Sequence, residues 1–232
     1  MDPDVDYQCI VGSLQYLVSC SRPDIANAVR TLGKFLTCYT KKHFVLAKRV
    51  LRYLQGTREY ISVWNVTVPR GLQLAVYADA DLGNEKDDRR SVTGYVLQLN
   101  GCTFAYKSKK QSIITDDTCS VEFVAASECS NMIMWTHNLF EELKLRRAKQ
   151  TILFEDNQAA IKVISEVGSN YKVRSVDLKF HKIRDFVERN VFRVTYCPSE
   201  DNIADIFTKP LGPQQFGKLR QNLNVLPVPD NE

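Results

Sequence analysis

The segment LQLAVYADADLGN, residues 72–84, begins with the pattern of a strand and ends among acidic side chains. Apolar and other residues alternate over its first half, as in a strand that buries one face. Asp79 and Asp81 then follow, and carboxylates this close together repel one another. The pair could hold a metal ion, act as a catalytic acid and base, or begin a solvated turn.

Two more strands follow this segment. Asn100-Gly101 separates two strand-like runs, and the Asn-Gly pair is the strongest short signal for a β-hairpin. The pattern therefore predicts antiparallel strands over residues 72–79, 92–99 and 102–109, with the chain leaving the first strand at Ala80.

The remainder of the chain alternates between helical and strand patterns. In order, these are a helix over 118–143 capped by Thr118, a strand and helix within 151–164, a helix over 175–189, a strand over 191–198, a last helix from Ser199 to Pro210, and a frayed tail over 226–232. Ahead of the strands, apolar residues recur at helical spacing over 21–36 and 41–56. A hairpin meander joined to strand–helix units predicts the α/β class, with a mixed sheet of five strands flanked by helices and preceded by a small helical lobe.

The composition is that of a globular protein with a substantial core. Of the 232 residues, 44% are hydrophobic and 25% charged, and no apolar run is long enough to span a membrane. The N-terminal MDPDVDYQ lacks the basic and apolar regions of a signal peptide. Seven scattered cysteines without a C-x-x-C pair argue against a zinc site or a disulfide framework. We therefore expect an intracellular protein with reduced thiols.

Charge is distributed unevenly along the chain. The net charge is +4, yet residues 1–70 contain ten Lys/Arg against five Asp/Glu, so the remainder is close to neutral. This asymmetry indicates two regions with different roles, although basic solvated helix faces would produce the same bias.

Acidic residues recur at similar places in the predicted elements. Asp79 ends the first strand, Glu122 lies in the first turns of the long helix, Asp156 ends the fourth strand, and Asp205 lies in the last helix. Carboxylates that meet at one edge of a sheet destabilise it unless cations neutralise them. An all-oxygen cluster suits Mg²⁺ or Mn²⁺, and two such ions can activate a water and stabilise a leaving oxygen in phosphodiester cleavage.

Several long motifs resemble the ribonuclease H domain of copia-type LTR retrotransposon polyproteins. They are VYADADLGNEKDDRRSVTGYVLQLNG (76–101), YKSKKQS (106–112), FEDNQAAIKV (154–163) and YCPSEDNIADIFTKPL (196–211). The earlier IVGSLQYLVSCSRPDIANAV (10–29) and HFVLAKRVLRYLQGT (43–57) resemble the end of the reverse transcriptase that precedes this domain. The resemblance extends over residues 7–225.

The resemblance implies a ribonuclease H-like fold and a division of the chain. Residues 1–65 would be a helical remnant of the reverse transcriptase thumb or connection, 66–215 the ribonuclease H-like domain, and 216–232 a C-terminal helix and tail. The implied partners are an RNA–DNA hybrid and the missing polymerase part of a polyprotein. The implied location is the cytoplasm, the nucleus or a virus-like particle, with no membrane association.

The resemblance also implies an activity. Asp79, Glu122, Asp156 and Asp205 would be both the catalytic residues and the ligands of two Mg²⁺ or Mn²⁺ ions. The reaction would hydrolyse the RNA strand of an RNA–DNA hybrid, leaving a 3′-hydroxyl and a 5′-phosphate.

The sequence departs from the family's pattern at four places. Leu82 stands where the family has Trp, Ser120 replaces a companion glutamate, and Ser175 replaces a His. Thr195 occupies a position where many relatives carry a His ahead of the last aspartate. These departures leave the rate and the pocket shape open.

A hybrid backbone requires cations and hydrogen-bond donors along one surface. The candidates are Lys107, Lys109, Lys110, Gln111 and Ser112 at the end of the third strand, Arg89 and Arg90 in the loop after Asp79, and Asn157 and Gln158 at a helix start. A solvated edge strand explains the lysine run equally well.

Two other functions fit parts of the sequence. A strand followed by D-x-D also begins haloacid dehalogenase-type phosphatases, but there a helix and a parallel strand should follow, and here an antiparallel hairpin does. A diverged retroelement remnant could instead keep the fold and bind nucleic acid or protein with weak or absent catalysis. Four retained carboxylates argue against that second alternative.

Overall fold

The computed structural model describes residues 6–64, 71–83, 89–113, 117–147, 150–165 and 177–228. Its α-helices are α1 (Tyr7–Cys20), α2 (Ala26–Gly33), α3 (Lys41–Gly56), α4 (Thr118–Glu142), α5 (Gln158–Ser165), α6 (Asp177–Glu188) and α7 (Pro213–Asn222). Its strands are β1 (Tyr60–Ser62), β2 (Leu74–Asp81), β3 (Val92–Leu99), β4 (Cys102–Lys110), β5 (Thr151–Glu155), β6 (Phe192–Tyr196) and β7 (Val225–Pro227). Short 3₁₀ helices span Pro23–Ile25, Ser199–Asp201 and Ile203–Phe207.

Five strands form one mixed sheet in the order β4-β3-β2-β5-β6. The strands β2, β3 and β4 are antiparallel neighbours, whereas β5 is parallel to β2 and β6 is parallel to β5. Parallel neighbours need a crossover, which α5 and α6 provide between β5 and β6. The prediction of a mixed five-stranded sheet flanked by helices is confirmed.

The two faces of the sheet bury different helices. Side chains such as Val76 and Leu97 pack on one face with α4, α5 and α6. Side chains such as Tyr77 and Val96 point to the other face, where they pack with α1, α2, α3, α7 and the 3₁₀ helix Ile203–Phe207. Successive strand residues point to opposite faces, so the alternating sequence of β2 serves both cores.

The helices ahead of the sheet share a core with it. Leu14 of α1, Val29 of α2 and Ala47 of α3 are buried in the same hydrophobic cluster as Val96 of β3 and Phe207. The strands β1 and β7 pair antiparallel, so the end of this helical lobe is also joined to the C-terminal segment. The predicted lobe therefore covers one face of the sheet.

A buried polar network holds the lobe's own turns together. The guanidinium of Arg22 donates to both carboxylate oxygens of Asp24, at 3.0 and 2.8 Å, and to the carbonyl of Thr57 at 3.1 Å. The hydroxyl of Tyr53 donates to Asp24 at 2.6 Å. The buried charges of Arg22 and Asp24 therefore compensate each other. The bond from Arg22 to Thr57 also fixes the turn after α1 to the end of α3.

Two details of the predicted strands and helices are wrong near the site. The chain does not leave the first strand at Ala80, because β2 continues to Asp81, which pairs with Val92. The long helix begins at Thr118, as predicted, but its cap is Asp117, whose carboxylate accepts from the backbone N–H of Ser120. Carboxylates accept such N-terminal bonds well.

The C-terminal predictions need two further corrections. The predicted helix from Ser199 to Pro210 is two short 3₁₀ helices, because Asn202 adopts an extended conformation between them and its side chain accepts from the N–H of Ala204. The tail is not frayed throughout, since Val225–Pro227 forms β7. Its last residues, 229–232, lie outside the described part of the chain.

Among the described residues, no helix combines the length and the apolar character that crossing a bilayer requires. None of the seven cysteines forms a disulfide.

Candidate metal centre and nucleic-acid interface

Asp79 lies at the centre of the candidate site. It belongs to β2, faces Gly94 of β3 across the ladder, and is fully buried at 0% exposure. The hydroxyl of Thr208 donates to its Oδ2, and the ammonium of Lys209 donates to its Oδ1 at 2.9 Å. Each oxygen of this buried carboxylate therefore has a donor.

Lys209 joins Asp79 to Asp205. Its Nζ also lies 3.0 Å from Oδ1 of Asp205, so one ammonium is shared between two buried carboxylates. The pKa of Asp205 is raised to about 8, chiefly by burial and then by the charge of Asp79, while Lys209 opposes the rise. Burial lowers the pKa of Lys209, but the two carboxylates outweigh burial, so this pKa is raised and the ammonium stays protonated.

The segment bearing Asp205 is held against the sheet by close packing. Asn202 is fully buried, and its side-chain amide donates to the carbonyl of Ala78 at 2.8 Å, beside Asp79. A Cβ on Gly94 would lie 2.9 Å from the carbonyl oxygen of Ala204, too close for any side chain. The bare backbone at Gly94 thus lets the 3₁₀ helix bring Asp205 to Asp79.

Glu122 and Glu155 approach from the other side of the site. Glu122 lies in the second turn of α4 and Glu155 ends β5, and both are buried, at 7% and 0% exposure. One oxygen of each, Oε2, has no hydrogen-bond partner among the described residues. Burial raises the pKa of each well above the usual range, and neighbouring carboxylates, Asp79 foremost for Glu122, add to the rise.

Asp156 connects the two halves of the site. A carboxylate oxygen from each of Asp79, Asp156 and Asp205 lies within 4.8 Å of the others, and so does one from each of Glu122, Glu155 and Asp156. Asp156 is half-buried and accepts a hydrogen bond from the hydroxyl of Ser199. The structure therefore brings all four predicted carboxylates together, with Glu155 as an unpredicted fifth.

The donor set fits a divalent cation. All five groups are carboxylates, which Mg²⁺ and Mn²⁺ prefer, and two of their buried oxygens accept no hydrogen bond from any described residue. Buried carboxylates so close together repel one another strongly unless a cation compensates them. Lys209 forms ion pairs with Asp79 and Asp205, and its charge also lowers the pKa of Glu122, but burial and the neighbouring carboxylates outweigh that effect. The acidic cluster can thus bind metal.

A cleft of about 390 Å³ opens beside these carboxylates. Its lining includes Asp81, Leu82, Glu122, Asp156 and Lys209. Asp81 is therefore the last residue of a strand at the edge of the cleft, and not the loop residue that the sequence suggested.

Known proteins similar to this chain were found among transposon polyproteins. The chain is 32% identical over 230 residues to the retrovirus-related Pol polyprotein from transposon RE1 of Arabidopsis thaliana, covering 98% of this chain and 15% of that protein. It is 32% identical over 212 residues to the one from transposon TNT 1-94 of Nicotiana tabacum, covering 91% and 16%. It is also 36% identical over 132 residues to secreted RxLR effector protein 161 of Plasmopara viticola, covering 57% of this chain and 92% of that protein.

The chain belongs to the retrovirus-related transposon Pol polyprotein family. It spans only about 15% of the length of the polyproteins that it matches. No family model matches it.

Solved ribonuclease H structures are also similar to this Pol family member. The LC11-RNase H1 in complex with RNA/DNA hybrid is 15% identical, with a TM-score of 0.45, covering 59% of this chain and 94% of that one. The N-terminal RNase H domain of a Mycobacterium tuberculosis protein is 13% identical, with a TM-score of 0.41, covering 64% and 98%. The mixed sheet of five strands, with its order β4-β3-β2-β5-β6 and its flanking helices, is the architecture that the sequence predicted.

The departures from the Pol family's pattern have distinct surroundings. Leu82 is exposed at the cleft, so an aliphatic side chain stands there in place of the family's Trp. Ser120 is buried and its hydroxyl donates to the capping carboxylate of Asp117, which gives it a structural role in starting α4. Thr195 lies in β6, and Ser175 lies outside the described residues.

The predicted nucleic-acid contacts on β4 differ in their exposure. Lys107 and Lys109 are exposed on this edge strand, Lys110 is half-buried, and Ser112 is exposed just beyond it. Lys109 lies 3.7 Å from the carboxylate of Glu128. Basic side chains therefore do project from the edge of the sheet.

Gln111 differs from its neighbours because it is buried. It is 1% exposed, and its amide donates to the hydroxyl of Thr93 at 2.9 Å and to the carbonyl of Val121 at 3.1 Å. Gln111 thus joins β3 to the start of α4. Because its side chain is buried, the predicted contact with a nucleic acid is wrong for this residue, and its role is structural.

The remaining candidates flank the cleft. Arg89 is exposed with a left-handed backbone (φ 55°), and Arg90 is half-buried. Asn157 lines the cleft, and its Oδ1 accepts from the backbone N–H of Ala160 at 3.0 Å, which caps α5. Gln158, the next residue, is exposed. The contacts of these residues with a nucleic acid stay predictions.

Two important residues of the site went unpredicted. Lys209 follows Asp205 by one helical turn, and Glu155 directly precedes Asp156. Lys209 and Glu155 both lie within the quoted motifs. The local sequence does not indicate that Lys209 contacts Asp79, because the two residues are far apart along the chain.

Proposed function

We propose that this chain is a metal-dependent endonuclease of ribonuclease H type, which hydrolyses the RNA strand of RNA–DNA hybrids. The observation that carries the proposal is the convergence of five carboxylates from four separate segments beside an open cleft. Convergence of buried charge is costly for folding, so its retention favours a function that needs the charge. Membership of the Pol family supports the same reaction class.

Four carboxylates would bind the metal ions, and Lys209 would compensate part of their charge. Asp79, Glu122, Asp156 and Asp205 would hold two Mg²⁺ or Mn²⁺ ions, with Asp156 shared because its carboxylate belongs to both groups. Such ions activate the attacking water and stabilise charge at the scissile phosphate. Lys209 adds a fixed positive charge at the same cleft.

The hybrid would lie along the sheet edge and the cleft. We assign backbone contacts to Lys107, Lys109, Lys110 and Ser112 on the β4 side, and to Arg89 and Arg90 after β2. Asn157 and Gln158 would approach the ribose 2′-hydroxyls, which distinguish RNA from DNA. Basic groups along a groove supply affinity without reading the base sequence.

The larger context of the chain is part of the proposal. We assign residues 1–65 to the end of a reverse transcriptase, 66–215 to the ribonuclease H-like domain and 216–232 to a C-terminal helix and tail. A copia-type polyprotein would supply the polymerase part as a partner, and its cytoplasmic, nuclear or virus-like-particle location stays a prediction.

The activity is tested with purified full chain and an end-labelled RNA–DNA hybrid in Mg²⁺ or Mn²⁺. We expect the wild type to cut the RNA strand, and the Asp79→Asn, Asp156→Asn double variant to lose cutting, because each group then loses carboxylate charge. Double-stranded DNA and RNA of the same sequence are the substrate controls.

Binding measured on the same hybrid separates the two candidate functions. Wild-type cutting no greater than that of the double variant would remove the enzyme assignment. Retained hybrid binding in that case would support the alternative, a nucleic-acid-binding remnant. The relation to an effector of Plasmopara viticola, of which the chain covers 92%, is a reason to make this measurement.

A further inference from the structure

Glu155 occupies an unusual position for a charged residue. It is the last residue of β5, two residues after Leu153, so both side chains point to the sheet face that packs against α4. Its exposure is 0%. The pKa of the Cys129 thiol on α4 is raised chiefly by the burial of that thiol and further by the charge of Glu155. A carboxylate in such a place destabilises the fold strongly unless its charge is compensated.

The two oxygens of Glu155 have different surroundings. Oε1 accepts from the backbone N–H of Asn157 at 3.2 Å, which fixes the carboxylate's orientation. Oε2 has no hydrogen-bond partner among the described residues, and the same is true of Oε2 of Glu122. An oxygen of each lies within 4.8 Å of the other and of an Asp156 oxygen. Two buried carboxylates, each with one oxygen that lacks a hydrogen-bond partner among the described residues, therefore meet beside Asp156.

The opposite half of the site provides a comparison. There, Asp79 accepts from both Thr208 and Lys209, and Asp205 accepts from Lys209. Those buried carboxylates are paired with a side-chain cation. The group of Glu122, Glu155 and Asp156 instead includes two oxygens that accept no hydrogen bond from the part of the chain that the structure describes. The missing compensation is of the kind that a divalent cation with oxygen ligands supplies.

We propose that Glu155 is a fifth metal ligand, which completes an inner cation site with Glu122 and Asp156. This inference rests on the proposed function, since it adds a ligand to the same metal centre. The group of Glu122, Glu155 and Asp156 would hold the more tightly bound ion. In the other group, Asp79 and Asp205 already form ion pairs with Lys209. A competing arrangement has Glu122 and Glu155 share one proton and bind no ion.

The test measures Mn²⁺ binding to the full chain by electron paramagnetic resonance of the free ion. Wild type is compared with Glu155→Gln, and with Glu128→Gln as the matched control on α4, where Glu128 contacts Lys109 away from the cluster. We expect Glu155→Gln to weaken the tightest Mn²⁺ site about tenfold or more, and Glu128→Gln to leave it unchanged.

Thermal unfolding in EDTA and in Mn²⁺ gives the second readout. A ligand role predicts that Glu155→Gln is at least as stable as wild type in EDTA, because a buried charge is removed, but gains less from Mn²⁺. A merely structural role would lower stability equally in both conditions. Glu155→Met replaces Glu155→Gln if the amide variant does not fold.

The outcomes separate this inference from the proposed function. If wild type binds no Mn²⁺, the metal-dependent function and the inference both fail. If wild type binds Mn²⁺ and the Glu155 variant binds it equally well, only the inference fails, and the shared-proton arrangement replaces it. Selective loss of the tight site in Glu155→Gln establishes the fifth ligand.

Discussion

Lys209 is the residue on which the stability of the cation-free site depends most directly. Its ammonium lies 2.9 Å from Asp79 and 3.0 Å from Asp205, and both carboxylates are buried. Removing one partner of a buried ion pair leaves the remaining charge uncompensated, which costs more than an exposed pair is worth. Removing Lys209 would leave two buried carboxylates, Asp79 and Asp205, without their ion-pair partner.

We expect Lys209→Ala to lower the free energy of unfolding by about 1–3 kcal/mol in EDTA, allowing for the partial exposure of the lysine. Saturating Mg²⁺ should restore part of this loss, because the cation binds the folded site and replaces the missing charge. Urea denaturation in both conditions measures the effect. Lys218→Ala, which breaks a 2.7 Å pair with Asp201 at the surface, is the control and should change the free energy of unfolding little in either condition, because an exposed ion pair contributes little. Equal losses for the two variants would contradict the role of Lys209.

At the same scale, the sequence motifs predicted which carboxylates meet but not what compensates them. Asp79, Glu122, Asp156 and Asp205 stand out because their motifs are long and occur in order. Lys209 does not, since a lysine after a helix is ordinary and its contact with Asp79 crosses 130 positions. The burial of Gln111 was missed for the converse reason: it follows a run of lysines along an edge strand, while its own side chain is buried.

Among the elements, the 3₁₀ helix Ile203–Phe207 and β3 determine how closely Asp205 approaches the sheet. The two pack so tightly at Gly94 that a Cβ there would lie 2.7 Å from Cγ2 of Thr208 and 2.9 Å from the carbonyl oxygen of Ala204. The second contact is with backbone, so a side-chain rotation cannot relieve it. The element must move if Gly94 acquires a side chain.

We expect Gly94→Ala to destabilise the protein by about 1–3 kcal/mol through overpacking. It should also weaken Mn²⁺ binding, because displacing the 3₁₀ helix moves Asp205 and Thr208 away from Asp79. Denaturation and the Mn²⁺ measurement check the two effects. The control is Gly217→Ala in α7, where an added Cβ meets nothing within 4 Å and should be neutral or slightly stabilising. Unchanged Mn²⁺ affinity in Gly94→Ala would show that the 3₁₀ helix does not set the site's geometry.

This element is also where prediction from local sequence was least successful. A run from Ser199 with helical composition predicts one helix, yet Asn202 interrupts it by donating to the carbonyl of Ala78 in β2. That bond depends on a strand more than a hundred positions away. The hairpin at Asn100-Gly101, by contrast, is encoded locally, and its strands were predicted to within one residue, since β4 ends at Lys110 and not at residue 109.

Across the whole molecule, the lobe of α1 to α3 and the sheet are joined by a common hydrophobic cluster. That cluster includes Leu14, Val29, Val96, Phe207 and Leu219, which come from α1, α2, β3, the 3₁₀ helix and α7. The charge and composition of residues 1–70 favoured a separate region, because periodicity along one segment does not reveal which distant face it covers. Burial in one cluster favours joint folding of the lobe with the sheet.

We expect Leu14→Ala, at a position that is 1% exposed, to cost about 2–5 kcal/mol. Because the cluster is shared, hydrogen exchange should accelerate in α1 and α2, and also in β3, α7 and the 3₁₀ helix Ile203–Phe207. Mass spectrometry of exchanged peptides distinguishes these regions. Val45→Ala, at an exposed position on α3, is the control and should change stability by no more than about 0.5 kcal/mol.

The extent of that acceleration decides how the site depends on the lobe. If it stays within α1, α2 and α3, the lobe folds independently, and the proposed boundary at residue 65 separates two folding units. If it reaches the 3₁₀ helix, then loosening α1 also loosens the segment that holds Asp205 beside Asp79. Mn²⁺ affinity of Leu14→Ala should then fall together with its stability, since a distant apolar contact would be maintaining the geometry of the metal centre.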